Sequence, residues 1–209
     1  MPGTTSLLGF IAAALVVLLI PGPAVLYIVA RSVSQGQRAG LVSVLGLSTG
    51  ALVHVAAATV GLSAILLASA TAFGVVKALG AAYLIYLGIR VLMERHSAAG
   101  MDASGPRSLS RLFTDGVVVN TLNPKIAVFF LAFLPQFAEP SRGPVPQQVL
   151  FLGLLYVALG LFTDGVYAVL SSRLRQWLGR TVLQGRIPRY ASGLVYIGLG
   201  VGTALAERR

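Results

Sequence analysis

The sequence predicts an all-α polytopic membrane protein, with six transmembrane helices in two inverted three-helix halves. Three observations carry this. The 209 residues are 56% hydrophobic and 11% charged, against about 25% charged in an ordinary soluble domain. The apolar residues fall into six runs, most near the roughly twenty residues needed to cross ~30 Å of hydrocarbon. Two of those runs are broken by prolines at matching places, about a hundred residues apart, and paired breaks of this kind point to a transporter's central binding site.

The first run, Leu7 to Ala30, contains Pro21-Gly22-Pro23. Proline donates no backbone hydrogen bond and clashes with the carbonyl four residues back. Pro21 therefore frees the carbonyl of Val17, and Pro23 frees that of Leu19. Gly22 removes the steric bar to unusual dihedrals. In a bilayer such groups must be buried in protein or line a wet cavity. Arg31 and Arg38 follow in what reads as a short polar turn. Met1 to Thr5 has no Lys or Arg, and the apolar run ends in the prolines rather than in a small-residue cleavage site. A retained helix is expected, not a signal peptide.

The second run spans about Leu41 to Leu67, and the third Phe73 to Met93. A polar loop with Gly100, Gly105 and Pro106 comes next. The fourth run, Leu112 to Phe137, is broken at Asn123-Pro124-Lys125, where Pro124 frees the carbonyl of Asn120. The fifth runs from Val149 to Ser171, and the sixth from Tyr190 to Leu205. Between these last two, Leu174, Trp177, Leu178 and Val182 recur at helical spacing among arginines. That pattern fits an amphipathic helix on the membrane surface or a basic linker. The chain is expected to be one transporter domain, 1–209: a first half over 1–93, a cytoplasmic loop over 94–111 and a second half over 112–209.

A formal charge of +10 could suggest nucleic acid, but the positions argue otherwise. Eleven of the sixteen Lys and Arg lie in the loops after runs one, three and five, counting Arg90 at the end of run three with the loop it enters. The positive-inside bias puts those loops in the cytoplasm and both termini outside. The chain has no cysteine, which excludes disulfides and thiolate metal sites. It also lacks a Gly-rich phosphate loop, an H-E-x-x-H and a G-x-S-x-G. His54 and His96 fall in a span and a loop, so they cannot share a metal. No enzyme activity, metal or cofactor is expected.

Several polar residues sit at membrane depth, where ionisable groups are costly and usually functional. His54 lies near the middle of run two. It reads either as a proton carrier or as a neutral histidine bonding two helices. Asp164 lies about seven residues from the end of run five, ~10 Å deep at 1.5 Å per residue. It is the first candidate for a proton-coupling carboxylate, with a structural anchor paired to an arginine as the alternative. Tyr167 shares its face. Lys125 sits beside the second break and cannot readily snorkel, and Asn120 and Asn123 bring amides to the same stretch. These residues could hold a zwitterion, or could merely stitch a kink. Gly46 with Gly50, and Gly198 with Gly202, are small-xxx-small pairs that point to helix packing. Tyr83 reads as packing or as a residue facing a central cavity.

Taken together, the stretches Pro21-Gly22-Pro23, Gly36 to Gly40 (GQRAG), Gly46 and Gly50 with His54, Lys77 to Gly88 (KALGAAYLIYLG), Asn120 to Lys125 (NTLNPK) and Phe133 to Phe137 (FLPQF) resemble the LysE/RhtB family of bacterial amino-acid exporters, the LysE-type translocators. The resemblance covers nearly the whole chain. It implies a multi-pass protein of the bacterial inner membrane that exports amino acids or close derivatives in exchange for protons, and it allows a homodimer. With few acids in the spans, neutral substrates such as homoserine, threonine or leucine are expected, with basic amino acids or another small metabolite as the alternative. An intramembrane enzyme would need a nucleophile, base or metal cluster at depth, and none is visible. A non-transporting subunit would leave the paired breaks unexplained.

Overall fold

The first apolar run does not form one straight helix, because its prolines forbid it. In the computed structural model, which describes residues 1–62 and 107–174 and six isolated helical positions between 75 and 89, the run becomes α1 (Thr4–Leu19) and α2 (Pro23–Gln35). Ile20 and Gly22 between them are extended. Pro23 takes the first position of α2, where its missing N–H costs nothing. The two axes meet at 53°. At 1.5 Å per residue α1 is ~24 Å long and α2 ~20 Å, so neither alone crosses the hydrocarbon.

α2 ends at Gly36, whose φ of 89° only glycine adopts easily. This single residue reverses the chain into α3 (Gln37–Ala57), which continues as a π-helical turn over Ala58–Leu62. The second broken run begins with α4 (Leu109–Thr121), capped by Ser108, whose side chain accepts the Arg111 amide. It resumes as α5 (Pro124–Val128), which passes through a π turn (Phe129–Phe133) and a 3-10 turn (Leu134–Phe137). The bend across this break is 45°. A short 3-10 turn, Pro140–Arg142, leads to α6 (Val145–Leu174), 30 residues long.

The described residues are all helical, with no strand. Two helical stretches, Gln37–Gly61 and Val145–Arg173, are long and apolar enough to cross a membrane. Counting each bent pair as one span makes four. The expected sixth run and most of the third lie outside the described residues, as do Tyr83, Gly198, Gly202 and the stretch around Trp177. The exposed surface agrees with lipid contact. Leu19, Leu26, Leu45, Leu154, Phe162 and Leu170 are all exposed on helices whose other faces are also apolar.

The two broken spans run antiparallel and are tied at both ends. At one end the Gly3 amide and the Ser6 hydroxyl donate to the Glu139 carboxylate, and the N-terminal ammonium donates to the Arg142 carbonyl. At the other end the Gln35 amide donates to the Arg107 carbonyl at 2.8 Å and accepts from the Arg107 N–H at 3.1 Å. An aromatic core fills one half of the bundle: Phe10 of α1, Phe129 and Phe130 after α5, and Tyr156 of α6, with ring centroids 4.8–6.0 Å apart. In the other half α3 and α4 cross very closely. A Cβ on Gly46 would overlap the Phe113 carbonyl, and one on Gly50 would fall 2.5 Å from the Val117 oxygen.

One boundary differs from the sequence reading in a way that matters below. The turn expected around Arg31 and Arg38 is only Gly36. Arg31 lies inside α2 and is 7% exposed. The expectation treated charge as a loop signal, and the burial of the guanidinium within the helix overrides it.

Candidate functional site

The site is built on carbonyls that the prolines release. The Val17 oxygen has no N–H to accept at position 21, and the Ile20 oxygen faces out of an extended residue. Both accept hydrogen bonds from the ammonium of Lys125, each at 3.0 Å. The Leu19 oxygen, released by Pro23, accepts the Tyr167 hydroxyl at 2.8 Å. The Asn120 oxygen, released by Pro124, meets His54 Nε2 at 3.0 Å. A carbonyl can only accept, so Nε2 carries a proton there.

Lys125 is therefore the direct bond between the two breaks, and it is 5% exposed. Its position is fixed from behind. Asn123, 1% exposed, caps α5 by accepting the Lys125 amide at 3.1 Å. The Asn123 side-chain amide reaches the Asn120 oxygen Oδ1 at 3.4 Å, and Asn120 in turn donates to the Leu47 carbonyl at 2.6 Å. The polar stretch of the second break is thus anchored to α3 on one side and to the first break on the other. Gly22 adds a carbonyl that accepts the Leu26 amide at 2.9 Å, and Pro23 opens α2.

Lys125, Asn120 and Asp164 line one small cavity with Ser48, Tyr156 and the α2 residue Ala24. Asp164 is half-buried on α6, and the described residues show no direct ion pair between it and Lys125 or an arginine. The cavity measures about 20 Å³, room for something the size of a water. Binding pockets for small molecules run from roughly 300 Å³ upward, so this cavity is far smaller than an amino acid needs. Chemically the site offers one cation, one carboxylate, amide groups and main-chain oxygens in a nearly dry surround. That is a set of groups for a small zwitterion. Among the described residues no cluster of His, Cys, Asp or Glu could hold a metal ion.

Sequence reasoning missed Arg31, Tyr27, Ser48 and Tyr156. Tyr27 and Arg31 stand four apart on α2. The guanidinium lies 5.5 Å from the Tyr27 ring centroid, and the Tyr27 hydroxyl donates to the Leu112 carbonyl at 2.9 Å. The signal that could have found them is Gly36. A glycine after Ser32-Val33-Ser34-Gln35 marks a helix end, which would have kept Arg31 inside the helix.

Comparison with known proteins agrees with this architecture. The family model described as LysE type translocator matches residues 15–207. A membrane protein of uncharacterised function from Vibrio cholerae is 30% identical over 200 residues, covering 96% of this chain and 97% of that one. A homoserine/homoserine lactone efflux protein from Salmonella typhimurium is 34% identical over 163 residues, 77% of each chain. No solved structure matches the chain. The chain belongs to the LysE type translocator family and is accordingly a membrane transporter rather than an enzyme.

Proposed function

We propose that the protein exports a neutral amino acid or a close derivative from the cytoplasm by proton antiport, with homoserine and its lactone as the first substrates to test. The observation that carries this reading is the bond from Lys125 to the Val17 and Ile20 carbonyls, beside Asp164, inside the bundle. The lysine ammonium occupies the acceptors that a substrate ammonium would use. On loading, the substrate ammonium takes the Val17 and Ile20 oxygens and Lys125 turns to the carboxylate of homoserine or to the ester carbonyl of the lactone. Asp164 carries the returning proton, with His54 and Tyr167 holding the breaks in shape. The relatives' printed activity supports the substrate class.

The remaining runs, Phe73 to Met93 and Tyr190 to Leu205, complete six spans in two inverted halves. The protein sits in the bacterial inner membrane with both termini outside the cytoplasm, and a homodimer is compatible with it. Export of a zwitterion against one proton moves one net charge inward. The membrane potential supplies ~2.3 kcal/mol per charge per 100 mV, enough for roughly a 50-fold gradient.

The test is growth of expressing cells on toxic homoserine, followed by efflux from loaded vesicles across a panel of amino acids. Protection that vanishes in Asp164→Asn and Lys125→Ala at unchanged protein level supports the mechanism. Undiminished protection removes both residues from it.

A further inference from the structure

The cavity is lined along α2 by Ala24 and Val25. Seven residues is close to two helical turns, so Arg31 and Ser32 continue the same two rows toward the end of the helix. Both are buried, Arg31 at 7% exposure and Ser32 at 0%. Arg31 Nε and Ser32 Oγ are buried without a hydrogen-bond partner. Among the described residues Arg31 has no acid partner either. Asp115, the acid on the neighbouring helix α4, is taken by Arg107 and Arg111. Glu139 is at the opposite end of the bundle, against the N-terminus. A guanidinium out of water and without an anion is costly, and an unpaired buried donor adds to the cost. Its contact with the face of the Tyr27 ring, 5.5 Å to the centroid, offsets only part of this.

We propose that Arg31 is a loading station that receives the carboxylate of the amino acid before it moves to the cavity between the breaks. The planar fork of arginine matches a carboxylate in two parallel hydrogen bonds. The station lies at the end of the bundle where Gln35 meets Arg107, the end that the arginine distribution assigns to the cytoplasm. From Pro23, at the break, to Arg31 is eight residues, ~12 Å along the helix, a distance a small molecule covers in one or two steps. The proposal rests on the exporter reading and adds a second recognition point to it.

The experiment uses two probes, homoserine and homoserine lactone. The lactone keeps the ammonium but has no free carboxylate. Initial uptake is measured against concentration in inverted membrane vesicles, whose cytoplasmic face is outward. Arg31→Gln should raise the half-saturating concentration of homoserine roughly ten- to hundredfold, the loss of a charge-assisted contact, and shift that of the lactone less than about twofold. Arg31→Lys, which keeps the charge but loses the fork, should fall between for homoserine and match the unaltered protein for the lactone. Lactone uptake also reports that each variant is folded. An equal shift for both probes, or no shift for either, overturns the station while leaving the exporter reading standing. If the unaltered protein carries neither probe, the proposed substrate class fails and the station fails with it.

Discussion

The two breaks are made by the same residue type and behave differently. The first offers only main-chain oxygens. Ile20 and Gly22 are extended, and no side chain caps the start of α2. The second carries its own polar side chains, with Asn123 capping α5 and Asn120 and Lys125 reaching outward. One break is a set of acceptors and the other supplies a donor to it. The pair is complementary: the ammonium of the second break satisfies two oxygens of the first.

The largest effect should follow loss of the shared donor. Lys125→Met keeps the volume but leaves the Val17 and Ile20 oxygens without a partner. A buried acceptor left unmade costs about 1–3 kcal/mol, and relief of the buried charge returns part of it. A net loss of roughly 1–3 kcal/mol in thermal unfolding is expected, with homoserine efflux below a tenth of normal. Normal efflux would show that the two breaks are joined for stability alone.

Next is the cap. Asn123→Ala should destabilise by about 1 kcal/mol and weaken transport without abolishing it, because Lys125 keeps its reach but loses its fixed base. If Asn123→Ala matched Lys125→Met in both readouts, the division between donor and support would not hold.

A smaller effect isolates the first break. Tyr167→Phe removes the bond to the Leu19 oxygen and should cost about 0.5–1.5 kcal/mol. In a Pro21→Ala/Pro23→Ala background the helix can satisfy that carbonyl itself, so the same change should cost nothing. A double-mutant cycle measures the difference. A cost unchanged by the alanines would mean that proline is not what exposes the oxygen.

The smallest effect concerns the outer tie between the two spans. Hydrogen bonds from Ser6, then from the Gly3 amide, hold the Glu139 carboxyl below the usual glutamate range. Its folded pKa is lowered, so this tie is present above the ordinary glutamate pKa and is lost as pH falls through the lower folded value. The protection of the Gly3 amide against hydrogen exchange, relative to an unstructured amide at the same pH, should fall in acid, and Glu139→Gln should show less of that dependence. A pH-independent Gly3 would place the tie elsewhere.

Much of the site was legible because proline acts locally. Counting four residues back from Pro21, Pro23 and Pro124 gives Val17, Leu19 and Asn120, and the oxygens of all three accept side-chain bonds. Which donor serves which oxygen was not legible. Lys125 and Val17 are 108 residues apart, and their meeting depends on how α1, α5 and α6 pack. The π turns at Ala58–Leu62 and Phe129–Phe133 were invisible for a related reason. Both follow ordinary apolar sequence; the first holds the single glycine Gly61, which does not by itself specify a π turn, and the second holds no breaker. Among the described residues four of the apolar runs coincide with a long helix or a bent helix pair, yet α6 extends beyond its run at both ends, from Val145 to Leu174. Gln148, just ahead of that run, lies within the helix, and its side chain bonds the Glu139 and Gly143 main chain.

The tethered ammonium at the crossing has a consequence for the idle protein. Sodium or potassium straying into the bundle from either side finds the oxygens that would replace its water shell already engaged by a group that cannot diffuse away. Such an ion gains little by shedding water there, so the crossing is a poor site for a bare cation. A molecule that brings its own ammonium to the Val17 and Ile20 oxygens can take the place of Lys125 there and loosen the plug.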